Sequence, residues 1–201
     1  MLDWLTGKGD PDFWKKYSET FDKTDANAPI RYVVFDCEKT GQDWKEDQIT
    51  SIGCIGVVSD SIQVGDFYEV FIQNQTEENH QNEAVEKLFK VNVDTIIESE
   101  ALPKFLDYIK NATLVGHSTN LDIEMLNQAL KKMNLGKLKN EVIDINVMHQ
   151  RFKNLSEDQH HTLDQLCDIY KVKKNSRSTA SGNAYSSALV FLKLRRKLKM
   201  K

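Results

Sequence analysis

Phe13, Trp14, Tyr17 and Phe21 recur at helical spacing behind Pro11, with Asp, Lys, Ser and Glu between them, and this predicts an amphipathic helix over 11–23. Its aromatic stripe reads as a lid on the chain's own core. The following Asp25-Ala-Asn-Ala-Pro29 reads as a linker, so an N-terminal helix and linker over 1–29 precede a main domain over 30–201. The period then changes. Arg31 to Cys37, Gln48 to Val58 and Phe67 to Ile72 are rich in Val, Ile, Phe and Tyr, are separated by Gly41 and by Ser59 to Ser61, and predict three strands. Ala84 to Ile97 and Ala101 to Ile109 carry helical patterns, interrupted near Pro103. Ala112 to Val115, ending in Gly116, predicts a short buried strand, Leu121 to Met133 a helix, and Glu141 to Val147 a fifth strand. Helices are expected over 162–171 and 183–198, with a polar stretch from Lys173 to Gly182 between them. Strands first, then strand and helix in alternation, predict an α/β domain with a mixed sheet flanked by helices.

Composition narrows the class of function. A chain of 201 residues, 40% hydrophobic and 28% charged, suits one well-filled core. No stretch approaches the roughly 20 apolar residues of a membrane span, and Met1 to Asp10 lacks a signal pattern, so a cytoplasmic protein without a membrane partner is expected. The formal net charge of −3 argues against a broad basic grip on nucleic acid, so any such contact is local. Cys37, Cys54 and Cys167 lie in apolar patterns and read as buried thiols.

In Arg31-Tyr-Val-Val-Phe-Asp36-Cys-Glu38 two carboxylates stand at i and i+2 at the end of an apolar strand, and strand geometry turns both to one face. Tyr32 and Cys37 are expected to point away from them. Like charges so close need a compensating cation, and hard oxygen ligands favour Mg²⁺ or Mn²⁺. Asp122 falls where a buried strand ends at Gly116 and a helix begins, in Val115-Gly-His-Ser-Thr-Asn-Leu-Asp122. Taken singly, solvation at a strand end explains the first pair, and the helix dipole explains the third acid.

The joint pattern decides between these readings. Val-Val-Phe-Asp36-Cys-Glu38-Lys-Thr-Gly, followed later by Leu-Val-Gly-His117-x3-Leu-Asp122, resembles the DEDD superfamily of 3′-to-5′ exonucleases over residues 30–198. That superfamily includes the epsilon subunit of bacterial DNA polymerase III and ribonuclease T. The resemblance implies a ribonuclease-H-like fold with a five-stranded mixed sheet. It also implies two Mg²⁺ or Mn²⁺ ions about 3.5–4 Å apart, with Asp36 bridging them, Glu38 holding one and Asp122 completing the site. DNA or RNA 3′ ends are the implied partners. His117 matches the family's Gly-His pair and is expected behind the metal ligands.

The third motif departs from the family. In Arg177-Ser178-Thr-Ala-Ser-Gly-Asn183-Ala, Ser178 stands where the His-containing (DEDDh) branch has its general base, and Asn183 where it has its last metal-binding Asp. Read on its own, Ser178 to Asn183 is a loop and helix cap. Asn183 is expected as a weakened ligand through its neutral carbonyl oxygen, and Ser178 as a non-functional base. His160 and His161 are expected to open a helix and not to replace that base. The resemblance therefore leaves two functions: an exonuclease of strongly reduced activity, or an inactive module that binds a nucleic-acid end or a protein partner through the N-terminal helix.

Overall fold

The computed structural model describes residues 9–22, 28–73, 94–173 and 179–200. At its centre lies a mixed sheet of β1 (Arg31–Lys39), β2 (Ile49–Val58), β3 (Ser61–Ile72), β4 (Thr95–Ile96), β5 (Thr113–Gly116) and β6 (Val142–Asp144). The six strands are ordered β4-β3-β2-β1-β5-β6. β1 with β2 and β2 with β3 run antiparallel, while β1 with β5, β5 with β6 and β3 with β4 run parallel. Around the sheet stand α1 (Asp12–Glu19), α2 (Glu98–Ile109), α3 (Asn120–Lys132), α4 (Ile145–Lys153), α5 (Leu163–Ile169) and α6 (Ala180–Lys197).

Three elements differ from the sequence expectation, each for a local reason. The sheet has six strands and not five, because Thr95 and Ile96 pair with Phe71 and Ile72 instead of ending a helix. The earlier part of that expected helix lies outside the described residues. β3 begins at Ser61 and not at Phe67, since Ser59 and Asp60 take φ of 48° and 63°, the left-handed pair that a tight hairpin turn requires. The strand expected over Glu141–Val147 stops at Asp144, whose side chain accepts a bond from the Asn146 amide at 2.7 Å and caps α4.

Apolar side chains fill both faces of the sheet. Val33, Phe35 and Cys37 of β1 join a core with α1, α2 and α3, and Tyr32 and Val34 join a second core with α4, α5 and α6. Tyr32 therefore does not point away from the acids: it shares the parity of Asp36 and Glu38 and lies on their face. Its ring sits 5.1 Å from that of Phe191 on α6. Each fully buried residue such as Phe35 or Leu126 contributes about 1.5–3 kcal/mol relative to exposure.

The aromatic face of α1 is part of the first core. Trp14 and Tyr17 are buried, and the Tyr17 hydroxyl donates to Asn140 Oδ1 at 2.6 Å while accepting from the Lys139 amide at 2.8 Å. Asn140 in turn donates to the Lys110 and Ala112 carbonyls at 2.8 and 2.7 Å. A partner docking on that aromatic face would first have to unpack it. Among the described residues no helix is long and apolar enough to cross a membrane.

Candidate metal and nucleic-acid site

The acid pair sits at the carboxyl end of β1, beside the end of the parallel neighbour β5, which is where open α/β sheets hold their ligands. Asp36 lies opposite Gly53 in the β1–β2 register. A Cβ at Gly53 would stand 2.2 Å from the Ser181 amide nitrogen and 2.4 Å from the Ala180 carbonyl carbon, so only glycine lets the first turn of α6 rest on β2. Thr179 caps that turn by accepting from the Gly182 amide at 3.1 Å. The helix expected from 183 thus starts at Ala180, and Asn183 lies inside its first turn, not in a loop.

This placement puts Asn183 beside the acid pair, where the sequence expects a ligand. Its Nδ2 donates to Asp36 Oδ2 at 3.2 Å and reaches Glu38 Oε1 at 3.5 Å, so the amide acts as a donor bridging two carboxylates.

Asp122 arrives from the other side, in the first turn of α3. A Cβ at Gly116 would meet Thr119 Cγ2 at 2.7 Å and the Phe35 carbonyl at 2.9 Å, so this glycine allows the close turn from β5 into α3. Asp144 fixes that turn by accepting from the Thr119 amide at 2.9 Å. Asp122 is 3% exposed, and its Oδ1 accepts from the Lys39 ammonium. Lys39 also donates to the Cys37 carbonyl at 2.9 Å. The β1–β2 register shifts between Glu38 and Lys39, and the lysine follows that irregularity into the site. Sequence reasoning passed over it, although a cation directly after an Asp-x-Glu pair was the available signal.

Burial displaces the acids of the cluster from their ordinary acidity. Burial, with the charge of Asp122 second, pushes the Asp36 carboxyl up to about 7. Burial also raises Glu38 and Asp122, and Lys39 only partly offsets this. Burial alone would lower Lys39, but Asp122, Cys37 and Asp36 outweigh it and hold the ammonium above its ordinary value.

His117 donates through Nε2 to the His161 carbonyl at 2.7 Å and ties the β5 end to the segment before α5. His160 bonds Asn146 at 3.1 Å, and the His161 ring packs edge-on to His149 at 4.6 Å. Ser178 lies outside the described residues.

A family model described as an exonuclease, RNase_T, matches residues 33–185, a span that contains all of these site residues. The chain belongs to the exonuclease family. A relative, the PolC-type DNA polymerase III of Caldanaerobacter subterraneus subsp. tengcongensis, is 28% identical over 181 residues, covering 88% of this exonuclease-family chain and 12% of the relative. The DNA polymerase III epsilon subunit of Buchnera aphidicola is 28% identical over 157 residues, covering 75% of the chain and 66% of that subunit. The chain thus spans only a small fraction of the PolC-type relatives. Among solved structures, E. coli exonuclease I in complex with a dT13 oligonucleotide superposes with a TM-score of 0.68 at 11% identity, over 85% of this chain and 42% of that one. That likeness shows the ribonuclease-H-like fold.

The exonuclease-family chain keeps donors suited to a hard divalent ion, arranged unequally. Among its described residues no group of three or more His, Cys, Asp and Glu side chains is placed to hold a metal ion. Asp36 and Glu38 can nevertheless be reached by one cation, since a single amide nitrogen already reaches both. Asp122 is engaged by Lys39.

Proposed function

We propose that this chain is a 3′-to-5′ exonuclease of strongly reduced activity that acts on nucleic-acid 3′ ends. The observation that carries the reading is the Asp36–Glu38 pair at the carboxyl end of β1, bridged by one donor and facing Asp122 across the strand end. Bound there, Mg²⁺ or Mn²⁺ would supply an activated water and charge stabilisation for the leaving oxygen. Asp36 and Glu38 hold and orient, and Asp122 fixes Lys39 beside them. The segment after α5 offers Ser178 where the family's base stands. A hydroxyl takes no proton near neutrality, and losing a positioned base costs roughly 10²–10⁴ in rate. DNA is the favoured substrate, because the relatives are DNA polymerase III components and the superposed exonuclease I holds an oligodeoxynucleotide.

Lys39 on Asp122 and the donating amide of Asn183 favour a second reading, a module that binds the 3′ end without cutting it. End-labelled single strands incubated with Mn²⁺, beside Asp36→Ala and with binding followed by anisotropy, separate the two. Slow trimming from the 3′ end that disappears with Asp36 supports the enzyme. Binding with no trimming at any enzyme excess replaces it with the module.

A further inference from the structure

We infer that Lys39 is a built-in cation that takes the place of one metal ion, so that the acid cluster holds a single divalent ion on Asp36 and Glu38. This rests on the metal-site reading above and specifies its ion content.

The geometry divides the cluster in two. On one side Asp36 and Glu38 share a single neutral donor, the Asn183 amide, which supplies no charge. On the other, Asp122 is buried and its Oδ1 is bound by the Lys39 ammonium, which is anchored again on the Cys37 carbonyl at 2.9 Å. The lysine side chain is only 20% exposed, so its charge is held in the site and not merely swept over it. An ion seated on Asp122 would have to displace that ammonium or sit against it, two positive charges beside one in a poorly hydrated place.

Asp122 is thereby held by a cation of the chain itself, and Asp36 and Glu38 by a neutral amide. Lys39 thus acts through the metal site as a positioning residue, fixing both the number of ions and the side on which the ion sits.

The test counts ions on the full chain by Mn²⁺ calorimetry and electron paramagnetic resonance. One ion per chain, lost in Asp36→Ala and retained in Lys39→Arg, is expected. Lys39→Gln keeps a donor for Asp122 but removes the charge, and should admit a second ion or tighten the first at least about tenfold. Two ions on the unaltered chain, or Lys39→Gln with one ion and unchanged affinity, overturns the inference while leaving the exonuclease reading in place. No ion at all overturns both. One ion with no cleavage of a labelled strand supports the inference and overturns only the proposed hydrolysis.

Discussion

Two of the polar clusters among the described residues are built on opposite principles. Around Tyr17 and Asn140 all participants are neutral: a hydroxyl, an amide and backbone groups meet at 2.6–2.8 Å. The only displaced group there is the Tyr17 phenol, pushed up to about 12 by burial. Around Asp36 three acids and the Lys39 ammonium meet, and the neutral Asn183 amide reaches two of the acids at 3.2 and 3.5 Å. The neutral network closes on itself and fixes α1 against the sheet. The charged cluster gathers perturbed acids at a strand end, the pattern that makes it a candidate site.

The largest effect should come from completing the charged cluster. Ser178→His with Asn183→Asp returns a base and a carboxylate, and should raise single-turnover cleavage of a labelled oligonucleotide in Mn²⁺ by roughly 10²–10⁴, with each single change recovering less. If the double variant stays at the parent's rate although folded and metal-bound, the site lacks more than these two groups. Completing it should leave the neutral network untouched, visible as unchanged near-ultraviolet dichroism.

Breaking the neutral cluster should do the reverse. Tyr17→Ala removes a buried ring and orphans Asn140, and should cost about 3–5 kcal/mol in urea unfolding with metal affinity unchanged. A loss below 1 kcal/mol would mean that α1 is an appendage and the comparison misplaced. Gly53→Ala tests the junction between the site and its scaffold. Its methyl collides with the α6 backbone, so a loss of about 1–3 kcal/mol should accompany weaker Mn²⁺ binding as Asn183 and Asp36 are pushed apart. Loss of stability without any change in binding would show that α6 does not set the site.

The smallest effect is a dependence on pH. Folded Asp36 holds its proton up to about 7, against 3.8 for the unfolded carboxyl. Between those values the folded state binds more protons, so this group stabilises the fold as pH falls and loses that contribution as pH rises through about 7. Asp36→Asn should therefore out-melt the parent by a few degrees at pH 8 in chelator, with the gap narrowed to roughly half at pH 5.5 and closed only as pH falls to about 4. His149, held down by burial, works in the opposite direction at acid pH, but it is common to both chains and cancels in the comparison. A gap independent of pH would remove Asp36 from the burdened groups.

The charged site was half legible in the sequence. Asp36 and Glu38 announced themselves because a strand's period of two fixes their common face, and the same rule, applied to Tyr32, gives the face on which the structure places it. Asp122 emerged only from the joint pattern, since nothing local separates it from an ordinary helix-start acid. Lys39 and the donating role of Asn183 were not legible: both depend on which groups lack a partner in three dimensions, and a residue-by-residue template does not record charge balance. In the fold, β3 begins at Ser61, ahead of the expected Phe67, because Ser59 and Asp60 make a left-handed turn without the Asn-Gly signature. The start of α4 was hidden because Val142 to Val147 alternates well enough to pass for one strand, with Asp144 and Asn146 as its polar positions.

The resting of α6 on Gly53 also bears on the order in which the molecule assembles. The Asn183 amide meets Asp36 across 147 positions of chain, and Arg195 at the far end of the same helix reaches Asp60 at 2.7 Å across 135. Contacts so distant in sequence close late, after the hairpin of β1 and β2 has had time to form. Docking of α6 is also what carries the Asn183 amide to the two strand-end carboxylates, so the helix that settles over Gly53 completes the surroundings of the acid pair as well.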